Sequence, residues 1–570
     1  MRKSHAAKAR VVLGIADNHD AGAVLVIDGR VVAAVSEERL DRIKNSGAFP
    51  SRSIDWVMKK GGIGPADIDL VALGTTFTPA AALRALRGVH HRLKSDLSQF
   101  SYLLHLYILY QVALRRLHLV GVERTLSLPV LRRALGAMGV RARLVFMDHH
   151  RAHAFSAALT SPFERSLAIT IDAMGDGLSL SVHRAENGRL ETLFEQSGRA
   201  SINTYYSRIT EYLGFRPLRH EGKITGLAAL APPPERLVER CAQEMRFVSP
   251  GFSSINYLRP ASPRDPFYRF LDGFTRAEIA SAAQANLEKQ VCAFISWWIA
   301  RSGIHHLSLA GGVFANVKLN QRINELDEVA GIHVYPHMSD GGLAAGAAMA
   351  VGGCARQPIP SPYVGPEIAE KDALDALRDA GVPFRKPGDI AQVVAQYLAE
   401  GRVVARAAGA LEWGPRALGN RSILYRPDDP SVNDRLNKRL HRTEFMPFAP
   451  STLEADAAQC YLHLDGALDS ARFMTLCFEC SPAMKASCPG VVHVDGTARP
   501  QIVRREDNAP YHQILTRFKA LTGKGSIVNT SFNMHEEPIV ANAKDALNAW
   551  RRADLDALVL GPFFITRGDC

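Results

Sequence analysis

Three groups of residues in this chain have types and spacings that could do chemistry. The first is Asp148-His149-His150-Arg151-Ala152-His153, which follows an apolar, strand-like run (Leu144-Val145-Phe146) and opens a small-residue stretch that reads as a helix. Positions four apart share a helix face, so His149 and His153 project side by side, as two imidazoles holding a transition metal would. For the bare pair, the plainer alternative is a cap or a packed helix. The second group is acidic. Asp172 opens a glycine-rich loop after the apolar run Leu167–Ile171, and Asp340-Gly341-Gly342 follows Val334 and opens an alanine-rich helix. An aspartate there can cap the helix or complete a metal site, because strand ends on one edge of an α/β sheet converge.

The third group is basic. Lys223 sits among glycines at a helix start, and Arg416 and Arg421 stand five apart in Glu412-Trp413-Gly414-Pro415-Arg416-Ala417-Leu418-Gly419-Asn420-Arg421-Ser422. Lys438, Arg439, His441 and Arg442 precede Phe445-Met446-Pro447-Phe448-Ala449-Pro450, and Arg499 lies in the loop Gly496–Gln501. Helix-start N–H groups, ammonium groups and guanidinium forks suit phosphate or carboxylate; a solvated basic face is the alternative. Leu307–Asn316 runs strand, double glycine, helix, which lets Gly311, Gly312 and Asn316 approach a ribose or base, and Asn529-Thr530-Ser531-Phe532-Asn533 ends a strand in small polar residues.

The elements that must position these groups fall into a repeat. Val11–Ile15, Gly22–Ile27 and Val31–Val35 read as three strands with an Asp28-Gly29 turn. Leu167–Ile171, Leu178–Val182 and Leu190–Phe194 repeat the plan about 150 residues later with an Asn187-Gly188 turn. A duplicated α/β unit follows, of the kind with which the actin/sugar-kinase superfamily holds nucleotide phosphates between two lobes. Phe77–Leu135 reads as a helical insert, and Phe473–Cys480 as a strand. Residues 356–366, with Pro358, Pro360 and Pro362, read as a linker between a domain over 1–355 and another over 367–570.

Composition narrows the class. The chain has 570 residues, 47% apolar and 22% charged, ordinary for a globular protein of two or three domains. A net charge of +11 suits polyanions, but spread over this length it argues only weakly for nucleic acid. The eight scattered cysteines fit a reducing cytoplasm, with Cys477-x-x-Cys480 only a faint zinc signal. No secretory core or membrane-spanning run is expected; the nearest apolar stretch, Tyr102–Leu114, reads as an amphipathic helix packed on the protein, with peripheral membrane contact as an alternative.

Taken together, Asn18-His19-Asp20, Glu37-Glu38-Arg39, the H-H-x-x-H stretch, His220-Glu221-Gly222-Lys223, Gly311-Gly312-Val313, E-W-G-P-R-A-L-G-N-R-S and N-T-S-F-N resemble the antibiotic and nodulation O-carbamoyltransferase family, which includes the tobramycin, cephem and novobiocin enzymes. The resemblance runs along nearly the whole chain. It implies an N-terminal actin/sugar-kinase-like (ribonuclease-H-like) domain and a smaller C-terminal YrdC-like domain. It also implies that carbamoyl phosphate and ATP are joined into carbamoyl-adenylate, whose carbamoyl group passes to an acceptor hydroxyl with the help of a metal, usually Fe(2+); Mg(2+) is expected with the ATP.

Carried over by motif, the metal ligands are His149, His153, Asp172 and Asp340, with His150 a bystander. His19 and Lys44 fall on the family's catalytic motif, and an imidazole suits a base near neutrality. Arg416, Arg499 and Ser531 match ligand-binding positions. One departure is Leu440, which stands where many relatives carry a lysine, so Lys438, His441 or Arg442 must substitute. The expected partner is a small molecule with a free hydroxyl on a sugar, glycan or secondary metabolite. No nucleic acid is expected, and a homodimer is compatible with the sequence. The alternatives are a tRNA threonylcarbamoyl-transfer protein or a non-catalytic nucleotide-binding switch.

Overall fold

The computed structural model describes residues 10–86, 102–254, 262, 264–440 and 448–567. Three sheets organise them. The first holds β1 (Val11–Ala16), β2 (Gly22–Ile27), β3 (Arg30–Ser36), β4 (Leu70–Leu73) and β5 (Arg143–Phe146), in the order β3-β2-β1-β4-β5. Strands β1–β3 are antiparallel, and β1, β4 and β5 run parallel. The second holds β6 (Arg165–Gly175), β7 (Leu178–Glu186), β8 (Arg189–Ser197) and the strands His306–Ala310 and Gly331–Val334. Its order and directions repeat those of the first. The expected duplication is therefore present. Both hairpins turn on residues with positive φ, Asp28 and Gly29 in one and Asn187 and Gly188 in the other, as the primed two-residue turns that match strand twist require.

Period-two burial gives the first sheet two faces. Val11, Leu13 and Ile15 pack with Ile54 and Val57 of the helix Ser51–Lys60, while Val12 and Ala16 pack with the helix Leu343–Gly352. That second helix is almost all alanine and glycine, and it also lies against the helix His149–Thr160. A Cβ on Gly346 would stand 1.9 Å from the Ala152 carbonyl oxygen, so the two backbones meet with nothing between them. This contact sets the metal-candidate helix against the turn that carries Asp340.

The third sheet has seven strands in the order 501–503, 449–453, 526–531, 421–425, 404–407, 557–560, 563–566, in mixed directions. An apolar cluster runs without a break from Leu307 and Ile332 in the second sheet to Leu476 and Phe478 beyond it. Residues 356–366 form no helix or strand and are bonded to both sides: Val364 O accepts from Ala34 N, and Pro362 O from Trp413 N.

One expectation changes. Phe473–Cys480 is not a strand beyond Phe478–Glu479. Its backbone is hooked onto the helix Val317–Asn324 instead, with Asn320 donating to Thr475 O and Cys477 N donating to Val317 O. The insert is helical over Ala81–Ala85, Tyr102–Arg116 and Val120–Gly136, while 87–101 lies outside the described residues. Among the described residues no helix is long and apolar enough to cross a membrane.

The helix contact can be tested directly. Gly346→Ala should cost about 3 kcal/mol in urea unfolding, because neither backbone can retreat. Gly136→Ala, at a helix end with open space around its Cβ, should be neutral or stabilising by up to about 1 kcal/mol.

Candidate metal centre and anion cavity

The helix His149–Thr160 begins at Asp148, whose carboxylate accepts from Arg151 N as an N-cap. His149 and His153 are wholly buried and project from one face, with ring centroids 4.8 Å apart. Asp172, in the last part of β6, and Asp340, at the turn before Leu343–Gly352, meet them. One potential ligand atom from each of the four residues lies within 4.8 Å of the others, and all four residues are buried.

The contacts separate a metal site from a hydrogen-bonded cluster. His153 Nε2 is 3.2 Å from Asp172 Oδ2 and 3.6 Å from Asp340 Oδ1, and His149 Nε2 is 3.7 and 3.5 Å from the same two oxygens. Yet no ring nitrogen of either histidine makes a hydrogen bond. Donors about 2.1 Å from a shared ion stand about 3.0–3.4 Å apart, so contacts of 3.2–3.7 Å need close up only by a few tenths of an ångström to hold a cation. His150 behaves oppositely: Nε2–H donates to Leu178 O at 3.1 Å, and Nδ1 pairs with the Thr170 hydroxyl at 2.6 Å. Burial holds it neutral, pushed down to about 3. Beyond the ligand atoms, Asp340 Oδ2 accepts from Asn18 Nδ2 at 2.7 Å and lies 3.2 Å from His19 Nδ1. Gly312 N donates to Asp172 Oδ2 at 3.3 Å.

Without a cation the site favours a proton. Burial opposes charge on His149, but Asp340 and Asp172 outweigh it and raise the imidazole to about 9. Burial likewise penalises the Asp172 carboxylate, and the two histidines overcome it, lowering its pKa well below the usual range.

The basic residues converge elsewhere. A cavity of about 330 Å³ lies between the N-terminal sheets and the third sheet, lined on one side by Lys44, Arg219 and Lys223 and on the other by Arg416, Arg499 and Ser531. Neither Arg416 nor Arg499 has a carboxylate or carbonyl partner among the described residues, and the Nε of each is buried without a hydrogen bond. Burial and the neighbouring Arg499 push Arg416 down to about 9. Burial also lowers Lys44, although Glu38 stands 3.9 Å from its ammonium. Two like charges held together with open donors describe a preformed anion site.

The other sequence candidates divide. Gly311 has φ +102, and a Cβ there would meet Ile171 O at 2.3 Å, so sheet packing alone demands glycine. Asn316 caps Val317–Asn324 and exchanges two side-chain bonds with Gln284. Gly312 and Asn316 both wall a 70 Å³ cavity that shares Gly222, Thr225 and Ala315 with the larger one. His19 stands between Asp340 and Asp20, while Lys44 lies beside Glu38 and lines the larger cavity. Arg442 and His441 lie outside the described residues; Leu440 is buried, Lys438 is exposed, and Arg439 pairs with Asp556. The Cys477-x-x-Cys480 pair belongs to no metal-ligating cluster among the described residues.

Against known proteins, residues 11–349 match the carbamoyltransferase N-terminus model and residues 395–567 the carbamoyltransferase C-terminus model. The chain belongs to the carbamoyltransferase family. It is similar to the nodulation protein NolNO of Sinorhizobium fredii (32% identical, over 96% of this chain and 79% of that one). It is also similar to NolO of Bradyrhizobium diazoefficiens (34%, over 74% and 79%) and to MJ1051 of Methanocaldococcus jannaschii (30%, over 98% and 100%). Solved structures such as the ROK hexokinase of Thermus thermophilus (15% identical, 60% of this chain and 98% of that one, TM-score 0.29) match too loosely to bear on function.

In this carbamoyltransferase, two working residues escaped sequence reasoning. Glu412 Oε1 accepts from Leu418 N, Asn420 N and Arg421 N, so one carboxylate shapes the whole G-P-R-A-L-G-N-R-S loop and aims Arg416. Asn18 anchors Asp340. Arg421, paired with Arg416 in the sequence reading, is instead fully buried and donates to the carbonyls of Gly409, Asn420 and Pro366. Its role is structural. The acid five residues after a strand and nine before that arginine was the available signal.

Metal affinity, followed by calorimetry, should rise about tenfold per pH unit up to about pH 9 and then level, because a cation must displace the His149 proton. The metal-free protein should show the reverse in stability. The raised His149 contributes fully below its unfolded value near 6.5, and that contribution is lost as pH climbs through about 9. Arg416→Gln should leave urea stability unchanged or raise it by about 1 kcal/mol while weakening pyrophosphate binding at least tenfold, since it relieves repulsion but removes a fork.

Proposed function

We propose that this protein is an ATP-dependent O-carbamoyltransferase whose two halves divide the reaction. In this reading residues 1–355 are an actin/sugar-kinase-like transfer domain, 356–366 the connection, and 367–570 a YrdC-like adenylating domain. Carbamoyl phosphate, ATP and water give carbamoyl-adenylate, phosphate and pyrophosphate; the carbamoyl group then passes to a hydroxyl of a sugar, glycan or secondary metabolite, releasing AMP. The observation that carries the reading is the open-donor pair Arg416 and Arg499, in a cavity walled by both halves.

Arg416 and Arg499 bind and orient the phosphates, with Ser531 and the N–H groups of the same wall fixing position. Relief of their mutual repulsion rewards an anion more as its charge grows during phosphoryl displacement. Lys44 and Lys223 face them across the cavity and hold the anion from the transfer side. A divalent cation held by His149, His153, Asp172 and Asp340 would supply Lewis-acid polarisation of a carbonyl or phosphoryl oxygen. Asp340 does a second job through its other oxygen: it faces His19 Nδ1 at 3.2 Å and, with Asp20 Oδ2 at 3.8 Å from Nε2, holds the imidazole that takes the acceptor's proton.

Carbamoyl phosphate and ATP, supplied without an acceptor, should yield pyrophosphate and carbamoyl-adenylate. Arg499→Gln should cut that yield at least a hundredfold. His153→Ala should leave it within a few-fold of the parent while abolishing transfer to any acceptor hydroxyl. An active preparation that makes no adenylate sinks the reading, and equal loss of both half-reactions in His153→Ala sinks the division of labour.

A further inference from the structure

The net charge of +11 is not spread evenly. Residues 77–136 carry nine Lys and Arg side chains against Asp96 and Glu123, a net of +7 in about a tenth of the chain. Glu123 is buried and spent internally, accepting from Ala81 N and the Tyr110 hydroxyl. The described helices of this insert turn one side inward: Gln111 and Val112 are buried, and Gln111 bonds the Thr78 hydroxyl at 3.0 Å. Their outward side is apolar. Leu106 (59% exposed) and Tyr110 share a face of Tyr102–Arg116 and Leu117 (64%) follows its end, while Val122 (51%) and Leu126 (56%) share a face of Val120–Gly136. Arg116, Arg124, Arg132 and Arg133 stand exposed among them.

We infer that the described helices Tyr102–Arg116 and Val120–Gly136 of this insert form a docking face for an anionic lipid bilayer surface. Leucines and a tyrosine with a flanking ring of arginines are what a helix lying in the headgroup region presents, combining apolar burial with attraction to anionic lipid. A second copy of the chain would set the exposed Arg116, Arg124, Arg132 and Arg133 against the same four side chains, and Glu123, the one acid among the described residues of the insert, is buried. A nucleic acid would answer the charge but leave the leucines in water. The same helix is bonded to the candidate metal centre's own helix, because Arg115 donates to Asp148, the N-cap of His149–Thr160, at 2.6 Å. Docking would therefore set the transfer half against the membrane.

The test is sedimentation of the full-length protein with vesicles of phosphatidylcholine alone or mixed with phosphatidylglycerol, at low and high salt. Light scattering of the same samples without lipid and a short duplex RNA complete the arms. Binding should need phosphatidylglycerol, weaken at high salt, and fall at least tenfold in Leu106→Gln/Leu117→Gln and in Arg116→Glu/Arg124→Glu. All four substituted side chains are exposed, so both variants should keep the parent's unfolding curve and its adenylate formation. Equal binding to both vesicle types, no loss in either variant, self-association abolished by the leucine variant, or RNA binding in place of vesicle binding would each overturn the inference.

Discussion

The four-residue cluster is the constraint to which the N-terminal half is built. Two carboxylates and two imidazoles within 4.8 Å, all buried, carry a desolvation penalty that hydrogen bonds do not repay, since the ring nitrogens make none. Such a cluster persists only if a proton or cation neutralises it and if its elements cannot spread apart. The second condition is met by backbone packing. Gly346 against Ala152 locks the histidine helix to the Asp340 turn, and parallel pairing of β6 with His306–Ala310 carries the Asp172 loop to the same sheet edge.

That constraint explains what the sequence could and could not disclose. The spacing of His149 and His153 is local, and a helix periodicity of 3.6 makes it legible at once. The strand duplication was legible for the same reason, because Asp28-Gly29 and Asn187-Gly188 are turns written in adjacent residues. Asp172 and Asp340 are 168 positions apart and their meeting is a property of strand order, so strand-end position left a helix cap open as the alternative and the family resemblance decided for ligands. Arg416 and Arg421 show the opposite failure. Their side chains read alike, but Arg421 sits within a strand and is consumed by carbonyls, whereas Arg416 sits in a loop held open by Glu412. Residue type states what a group can bind; backbone position decides whether that capacity is already spent.

Phe473–Cys480 went wrong by a related route. Apolar residues in a row suit a strand, but this stretch finds its partners in the helix Val317–Asn324, and Asn320 takes up the carbonyl that a sheet neighbour would have bonded. A tertiary hydrogen bond from a distant asparagine overrides local propensity, and no window of sequence contains it.

The two charged sites are opposites that need each other. The metal candidate is a carboxylate-rich point that attracts cations, and the cavity is a guanidinium-rich one that attracts anions. Fields of opposite sign placed side by side would quench by forming salt bridges, and several acids near the two sites are instead engaged locally. Glu38 is held by Arg39 at 2.7 Å, Asp20 by Asn45, and Glu412 by backbone N–H groups. Gly312 then links the two without charge, touching Asp172 through its N–H while walling the small cavity that opens onto the large one. Arg416 and Arg499 remain open donors while the carboxylates lining their cavity, Glu536 and Glu537, bond His220 and Arg552 instead.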